Sequence, residues 1–231
     1  VIKPMSDFFT RIKNGLIVSC QALENEPLHS DFIMGRMALA AQQGGALGIR
    51  SNSVKDITEI RKMVDLPIIG IIKRDYPDSK IFITATMSEI DELMEIGPDM
   101  IALDATNRVR PNGESLEQFV KSIRLKYPNV LLMADIASIE DGIEADRLAF
   151  DCISSTLHGY TEETKGCKVF ANDFEFLRNL LSNVKIPVIA EGNVQTPAMA
   201  KRCLELGCYA VVVGGAITRP KQITEQFTSI M

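Results

Sequence analysis

The chain has 231 residues, of which 46% are hydrophobic and 24% charged, with a formal net charge of −5. This balance is typical of a folded globular chain and argues against a broad nucleic-acid surface or attachment to an anionic membrane. No apolar run approaches the roughly 20 residues of a membrane-spanning helix, and residues 1–15 lack a signal-peptide core, so we expect a cytoplasmic protein.

Eight short apolar runs recur along the chain, and each is continuous rather than alternating. Such runs are typical of parallel strands that are covered on both faces of the sheet. The predicted strands are residues 16–20, 46–50, 67–73, 99–105, 130–136, 151–156, 187–193 and 210–216.

A segment with apolar residues at helical spacing follows each strand. The first of these, residues 30–45, has Ser30 as a candidate cap and Gly44-Gly45 as a stop. Thr196-Pro197 places a cap before a proline at the first helical position of another. The remaining predicted helices are residues 53–64, 87–97, 113–128, 138–150, 173–184, 196–207 and 220–231, with a further helix-like stretch, MSDFFTRIKN, near the start.

Eight strand-helix units without a linker or a composition break predict one α/β domain over residues 1–231. We expect a TIM (β/α)8 barrel, in which a parallel eight-stranded barrel lies inside a ring of helices. The short N-terminal helix would plug the bottom of the barrel. An open doubly wound sheet is the alternative, but it usually carries GxGxxG after its first strand, and residues 16–27 contain no such motif.

The five cysteines do not suggest a disulfide framework. Their number is odd and no CxxC pair occurs, so reduced thiols are expected, with Cys20 and Cys152 as small core residues. The two histidines, His29 and His158, have no second ligand near them, and we therefore predict no zinc or other metal site.

Charged residues stand at the carboxyl ends of several predicted strands, where barrels of this kind hold their catalytic groups. These residues are Arg50, Lys73, Asp135 and Glu191, and Gln21 follows the first strand. Side chains two apart share a face of a strand, so each charge shares its face with the small or apolar residue two positions before it. If these faces point inward, two cations and two anions meet over the mouth of the barrel.

A single charge at a strand end is more often just the first solvated residue. Four such ends of mixed sign are harder to explain in that way, because a buried mixed-charge cluster is a poor means of stabilising a fold. Asp104 is a weaker candidate, since it has opposite parity to Leu103 and a cap or turn role explains it equally well.

The loops after the last two strands have the composition of a phosphate site. Gly192, Gly214 and Gly215 let backbone N–H groups approach an anion closely, and Asn193 belongs to the same EGNV turn. Arg219 is placed to add a bidentate contact. The segment 155–166 is expected to form a lid or wall; its histidine, His158, could reach a substrate, although an exposed loop position is the default.

In these segments the sequence resembles the N-acylglucosamine-6-phosphate 2-epimerases, which interconvert N-acetylmannosamine 6-phosphate and N-acetylglucosamine 6-phosphate. The resemblance covers nearly the whole chain and rests on GLIVSCQA, GGALGIRS, PIIGIIKRDY, FITATMSEID, IALDAT, LLMADI, TLHGYT, VIAEGN and VVVGGAITRP. It implies a TIM barrel, no required cofactor, and a role in bacterial sialic-acid and amino-sugar catabolism. It also implies that Lys73 and Glu191 carry the chemistry and that the substrate contacts are Gln21, Arg50, Asp135 and Arg219.

The chemistry of such a reaction suits these residues. Inverting a carbon that bears an acetamido group requires removal of its proton, which is acidic only when C1 is an open-chain aldehyde. A lysine can remove it if burial and a cation such as Arg50 lower the lysine pKa, although the two carboxylates oppose that change. We expect neutral Lys73 to remove the C2 proton, and Glu191 to act on O1, on ring opening or on proton return.

Two other functions remain open from the residues alone. A lysine at a strand end is also the nucleophile of Schiff-base aldolases, and a barrel could bind a sugar phosphate without converting it. The expected partner is a small phosphorylated amino sugar, with no nucleic acid and no membrane. A homodimer suits such barrels, although no motif predicts one.

Overall fold

The computed structural model describes residues 7–231, in which eight parallel strands pair in chain order and the last strand closes on the first. The predicted barrel is therefore confirmed, and the open doubly wound sheet is wrong. The strands are β1 (Leu16–Cys20), β2 (Gly48–Asn52), β3 (Ile68–Ile71), β4 (Met100–Asp104), β5 (Leu132–Asp135), β6 (Cys152–Ser154), β7 (Val188–Ala190) and β8 (Ala210–Val213).

Helices connect the strands, and every predicted helix is present. They are α1 (Asp7–Ile12), α2 (Asp31–Gln43), α3 (Val54–Met63), α4 (Met87–Ile96), α5 (Leu116–Lys126), α6 (Ile139–Arg147), α7 (Ala171–Asn183), α8 (Pro197–Glu205), α9 (Gly215–Thr218) and α10 (Pro220–Thr228). The four-residue helix α9 was not predicted. None of the helices within residues 7–231 has the length and apolar character needed to cross a lipid bilayer.

Both predicted N-cap residues occupy their helix starts, and they differ only in whether the side chain makes a hydrogen bond. The Thr196 hydroxyl accepts a hydrogen bond from the Met199 N–H at 3.2 Å, directly before Pro197, as predicted. Ser30 occupies the cap position of α2, but its side chain makes no capping hydrogen bond. Ser30 is therefore the N-cap residue, as predicted, and the helix begins where expected.

The continuous apolar runs arise because both faces of each strand are buried. On β3, Ile69 and Ile71 point into the barrel, whereas Ile68 packs outward among the helices. Gly70 shares the outer face, where a Cβ would lie 3.0 Å from Pro98 and 3.1 Å from two other side chains. The absence of a side chain at Gly70 therefore lets the helix layer approach the sheet closely.

The N-terminal helix closes the bottom of the barrel, as predicted. Phe8, Phe9 and Ile12 of α1 are buried in the same apolar cluster as the inward-facing residues of the strands. The Tyr209 hydroxyl donates a hydrogen bond to the Phe9 carbonyl at 2.9 Å. This bond ties α1 to the loop between α8 and β8. The first two residues of the predicted segment, Met5 and Ser6, lie outside the described residues.

The inward face of each strand leads to the carboxyl rim. Ile71, Met133 and Ile189 belong to the interior cluster, and the residues two positions further on are Lys73, Asp135 and Glu191. Because side chains two apart share a face, the three charges point toward the barrel axis at its mouth. The five cysteines are free thiols, and both Cys20 and Cys152 are buried as predicted.

Candidate active site

A cavity of about 300 Å³ opens at the carboxyl ends of the strands. It brings together most of the residues singled out from the sequence, which are Gln21, Arg50, Lys73, Glu191, Gly192, Asn193, Gly214, Gly215 and Arg219. Asp135 does not line the cavity: its side chain is fully buried and lies against Arg50. Strand ends far apart in the sequence thus meet around one opening.

Arg50 is held by two carboxylates at the floor of this cavity. Its Nη1 and Nη2 donate to Oδ1 and Oδ2 of Asp135 at 2.9 and 2.6 Å, a bidentate pair with both side chains almost completely buried. Nη1 also donates to Oε2 of Glu191 at 2.9 Å. Pairing of this kind is what makes a buried guanidinium tolerable, because an unpaired one would cost several kcal/mol.

Glu191 receives further hydrogen bonds from the last residue of β6 and from the second residue beyond that strand. The hydroxyls of Ser154 and Thr156 lie 3.2 and 3.1 Å from its Oε2. Burial raises the pKa of the Glu191 carboxyl; Arg50 and the two hydroxyls oppose this effect, and the neighbouring Asp135 carboxylate adds to it. Burial outweighs the opposing contacts, so the net direction of the pKa shift is upward and Glu191 holds its proton at a higher pH than an exposed glutamate.

Lys73 follows β3 and enters the cavity from the neighbouring strand end. Its backbone N–H donates to Oδ1 of Asn52 at 2.8 Å, and its backbone pairs with Ile83 in an isolated antiparallel bridge. Burial lowers the pKa of the Lys73 ammonium to about 8, assisted by the Arg50 and Arg219 cations and opposed by the Glu191 and Asp135 carboxylates. A lysine at this pKa is partly neutral near physiological pH. The two backbone contacts hold the main chain at Lys73 in place.

The glycine-rich loops after β7 and β8 form the other side of the cavity. Gly192 and Asn193 both have positive φ, 97° and 57°, so their backbone turns sharply at the rim. A Cβ at Gly192 would lie 3.3 Å from the Ser155 carbonyl. Gly214 connects β8 to α9, Gly215 is the first residue of α9, and both line the cavity.

Arg219 lies at the edge of the cavity, between α9 and α10. Its Nε is 3.0 Å from Oε1 of Glu26, and both side chains are partly exposed. Glu26 lies in the loop between β1 and α2, which also carries Gln21. The Gln21 Nε2 donates to the Ser19 hydroxyl at 2.8 Å, while its buried Oε1 has no hydrogen-bond partner among the described residues.

The sequence patterns did not point to several residues in or beside the cavity. Ser154 and Thr156 follow Cys152 at intervals of two, so the face rule that found the charges would also have identified them. Ser19 follows Ile17 in the same way. No local signal marks several further lining residues that loops and the last helix contribute, which include Phe82, Gln195, Gln222 and Gln226.

Two candidates from the sequence have other roles. Asp104 is fully buried at the end of β4 and accepts hydrogen bonds from the Thr106 N–H at 3.0 Å and from Arg108. The turn role is thereby confirmed. His158 does not line the cavity: its Nδ1 lies 2.9 Å from the Ala137 carbonyl and its ring stacks on Phe176 at 3.7 Å.

The predicted exposed position of His158 was wrong, since the side chain is half-buried and burial lowers its pKa. The segment 155–166 nevertheless contributes Leu157 and Tyr160 to the lining of the cavity. The segment therefore forms part of the cavity wall, and His158 packs on the side of this wall that faces away from the cavity.

The family model and the curated relatives that this chain resembles carry closely similar descriptions. Residues 34–231 match the NanE family, described as "Putative N-acetylmannosamine-6-phosphate epimerase". Curated relatives named "Putative N-acetylmannosamine-6-phosphate 2-epimerase" include one from Enterobacter sp. (strain 638), 64% identical over 94% of this chain and 93% of its own length. Another, from Shouchella clausii (strain KSM-K16), is 61% identical over 96% of this chain and 97% of its own length.

A solved structure is also similar over the full chain. The N-acetylmannosamine-6-phosphate 2-epimerase from Clostridium perfringens superposes with a TM-score of 0.92 at 55% identity, covering 100% of this chain and 99% of that one. The barrel, the rim cavity and these comparisons agree with the resemblance in the sequence segments. The chain therefore belongs to the N-acetylmannosamine-6-phosphate 2-epimerase family.

Proposed function

We propose that this protein interconverts N-acetylmannosamine 6-phosphate and N-acetylglucosamine 6-phosphate by removing and returning the proton at C2. The observation that carries the proposal is the pair of groups in the rim cavity. Lys73 has a pKa lowered to about 8, and Glu191 has a raised pKa. Pairs of titratable groups whose pKa values are pushed toward neutrality by their surroundings are the usual sign of acid-base catalysis.

The reaction begins from the open-chain sugar, because the C2 proton becomes acidic only beside an aldehyde. Removing that proton places negative charge on O1 of an enolate. Returning a proton to the opposite face of C2 gives the epimer. No electron leaves the substrate, so the reaction as written needs no redox cofactor.

Lys73 is the proposed base. An ordinary lysine, with a pKa near 10.4, is almost entirely protonated at pH 7, whereas a pKa of about 8 leaves roughly one molecule in ten neutral. The backbone contacts with Asn52 and Ile83 hold the start of its side chain in place. A base close to neutrality and fixed in position suits proton removal from carbon.

Glu191 is the proposed acid on the oxygen side, at O1 or in ring opening. A carboxyl that retains its proton can donate to the developing enolate oxygen. Burial of the carboxyl favours the protonated form and the neighbouring Asp135 carboxylate adds to this effect, while Arg50, which is also paired with Asp135, opposes it. Loss of the Glu191 charge would also lower the pKa of Lys73 further, since that charge raises it.

The far end of the substrate would lie against the glycine-rich loops. We assign the phosphate to Gly192, Asn193, Gly214, Gly215 and Arg219, with Gln21 as a further contact to the sugar. Backbone N–H groups and an arginine are suitable ligands for a phosphate dianion. Binding energy from this remote group would serve to orient C2 toward Lys73.

The proposal is tested by NMR of the protein with N-acetylmannosamine 6-phosphate in D₂O. We expect N-acetylglucosamine 6-phosphate to appear with deuterium at C2. Lys73→Ala should abolish both conversion and exchange while leaving the circular dichroism spectrum unchanged. Conversion at the wild-type rate by that variant would refute the role of Lys73, and absence of conversion by the wild type would refute the function.

A lysine with a lowered pKa is equally suited to attack a carbonyl, so a Schiff-base aldolase is the second candidate. Sodium borohydride added with substrate would then leave a reduced sugar adduct on Lys73, visible as a mass increase of the protein. We expect no adduct on Lys73, and we expect the product to carry deuterium at C2. An adduct with cleavage products would favour the aldolase.

We also propose that the whole chain is one domain that acts in the cytoplasm, in amino-sugar and sialic-acid catabolism, as a homodimer without nucleic acid. These statements follow from the sequence and the family resemblance. Sedimentation of the purified protein and growth of a deletion strain on N-acetylmannosamine would test them.

A further inference from the structure

The arginine proposed to bind phosphate is paired with a carboxylate from the opposite end of the chain. The nearest approach is 3.0 Å, between Nε of Arg219 and Oε1 of Glu26. The contact thus lies on the Nε side of the guanidinium. Within residues 7–231 no carboxylate other than Glu26 forms a salt bridge with Arg219.

Glu26 is itself fixed by its own loop. Its Oε2 accepts a hydrogen bond from the Leu23 N–H at 2.7 Å, and its backbone N–H donates to the Leu23 carbonyl at 2.8 Å. Its carbonyl accepts from the His29 N–H at 3.0 Å. Backbone and carboxylate are both bound in one tight turn, so the carboxylate is a stationary partner.

A stationary carboxylate restricts a long and flexible side chain. A free arginine loses much rotamer freedom when it binds a ligand, and this loss weakens binding. Arg219, which is about 29% exposed, would otherwise sample solvent at the edge of the cavity. Contact with Glu26 on the Nε side restricts it before the ligand arrives and leaves the terminal nitrogens able to face the phosphate.

We propose that Glu26 is a positioning residue that holds Arg219 in place for the phosphate group of the substrate. The inference rests on the proposed function for the identity of the ligand. Glu26 touches neither C2 nor the acid-base pair in this scheme, and its effect passes through Arg219.

The direction in which phosphate binding changes when Glu26 is removed distinguishes positioning of Arg219 from direct electrostatic repulsion of the phosphate. A carboxylate near a phosphate repels it, so removal of Glu26 would strengthen binding if repulsion were its main contribution. Loss of positioning weakens binding instead. Because Glu26 is ion-paired and about 23% exposed, its charge is largely offset, and weaker binding is the expected result.

Steady-state kinetics with N-acetylmannosamine 6-phosphate test the inference. For Glu26→Ala we expect KM to rise about five- to tenfold with kcat within twofold of wild type, the pattern of a lost binding contribution. Glu26→Gln, which keeps an oxygen for Arg219, should recover most of the affinity. Glu24→Ala, which removes an exposed carboxylate from the same loop, is the matched control and should resemble wild type.

A double-mutant cycle separates positioning from a general effect on the loop. In an Arg219→Ala background, Glu26→Ala should change KM by less than twofold, because the partner it positions is gone. An equal KM effect in both backgrounds would overturn the inference. So would a fall in KM for Glu26→Ala alone, or a loss confined to kcat.

Inorganic phosphate provides a readout that does not depend on turnover. Its affinity, followed by ³¹P NMR line broadening, should fall in Glu26→Ala by about the same factor as the rise in KM. If the wild type binds phosphate but converts no sugar, the proposed function fails while this inference stands. If Glu26→Ala binds phosphate as tightly as wild type, the inference fails whatever the activity.

Discussion

Replacing the proposed catalytic lysine by methionine should stabilise the fold while abolishing turnover. Lys73→Met keeps an unbranched side chain that is one heavy atom shorter and removes the ammonium, whose burial lowers its pKa from 10.5 to about 8. That lowering means that the folded state holds the charged form about 3 kcal/mol less favourably than the unfolded chain does. At pH 7 the variant should therefore gain about 3 kcal/mol in free energy of unfolding.

The gain should depend on pH in a defined direction. Below pH 8 both folded and unfolded wild-type chains carry the proton, so the full cost is present. Between pH 8 and 10.5 the unfolded chain binds a proton that the folded chain has released, and wild-type stability rises relative to the variant. The advantage of Lys73→Met should fall to about 1.5 kcal/mol near pH 9.5 and vanish above pH 10.5.

Urea unfolding at pH 7 and pH 9.5 measures this difference. Far-UV circular dichroism is the appropriate signal, since the chain contains no tryptophan. Lys73→Arg keeps a cation and should show no gain, and Lys121→Met, which replaces an exposed lysine on α5, controls for the added methionine. A Lys73→Met protein no more stable than wild type at pH 7, or one whose advantage grows with pH, would refute the reasoning.

Three further results are expected. The kcat/KM should pass through an optimum, falling on the acid side as Lys73 becomes fully protonated and on the alkaline side as Glu191 loses its proton, because the active form holds neutral Lys73 and protonated Glu191; a profile that rises to a plateau and stays there above pH 9 would exclude Glu191 as the acid. Asp135→Ala should lower the free energy of unfolding by about 3–5 kcal/mol in urea, since it leaves buried Arg50 short of a partner, whereas a loss below about 1 kcal/mol would show that Glu191 alone suffices. Arg219→Ala should raise KM for the phosphorylated sugar far more than it changes kcat or unfolding, and equal kinetics in the two proteins would remove Arg219 from the phosphate site.

The faces of the strands could be predicted from the sequence. Lys73 and Asp135 follow apolar residues at intervals of two, and strand periodicity alone places all of these on one face. The same rule applied to β6 would have added Ser154 and Thr156. Parity is local, because it depends only on the alternation of side chains along one extended chain.

Asp104 shows where parity is insufficient. It lies at the end of β4 with the same parity as Ala102, an interior residue, yet its carboxylate is bound by Thr106 and Arg108 rather than lining the cavity. Its backbone N–H donates to the Ile83 carbonyl at 3.1 Å, so the segment after Lys73 packs across this strand end. Residues 83 and 104 are distant in the sequence, so their contact cannot be predicted from the alternation of side chains along either segment.

The sequence by itself determined the barrel, its helix ring, the plug at its base and the rim on which the charges stand, because burial on both faces and alternation along a strand are local properties. Only the tertiary structure decided the Arg50, Asp135 and Glu191 cluster, the pairing of Arg219 with Glu26, and the pKa of Lys73. Each of these depends on charges that closure of the barrel brings together from distant strands, and Coulomb interactions and desolvation depend on distance in space rather than along the chain.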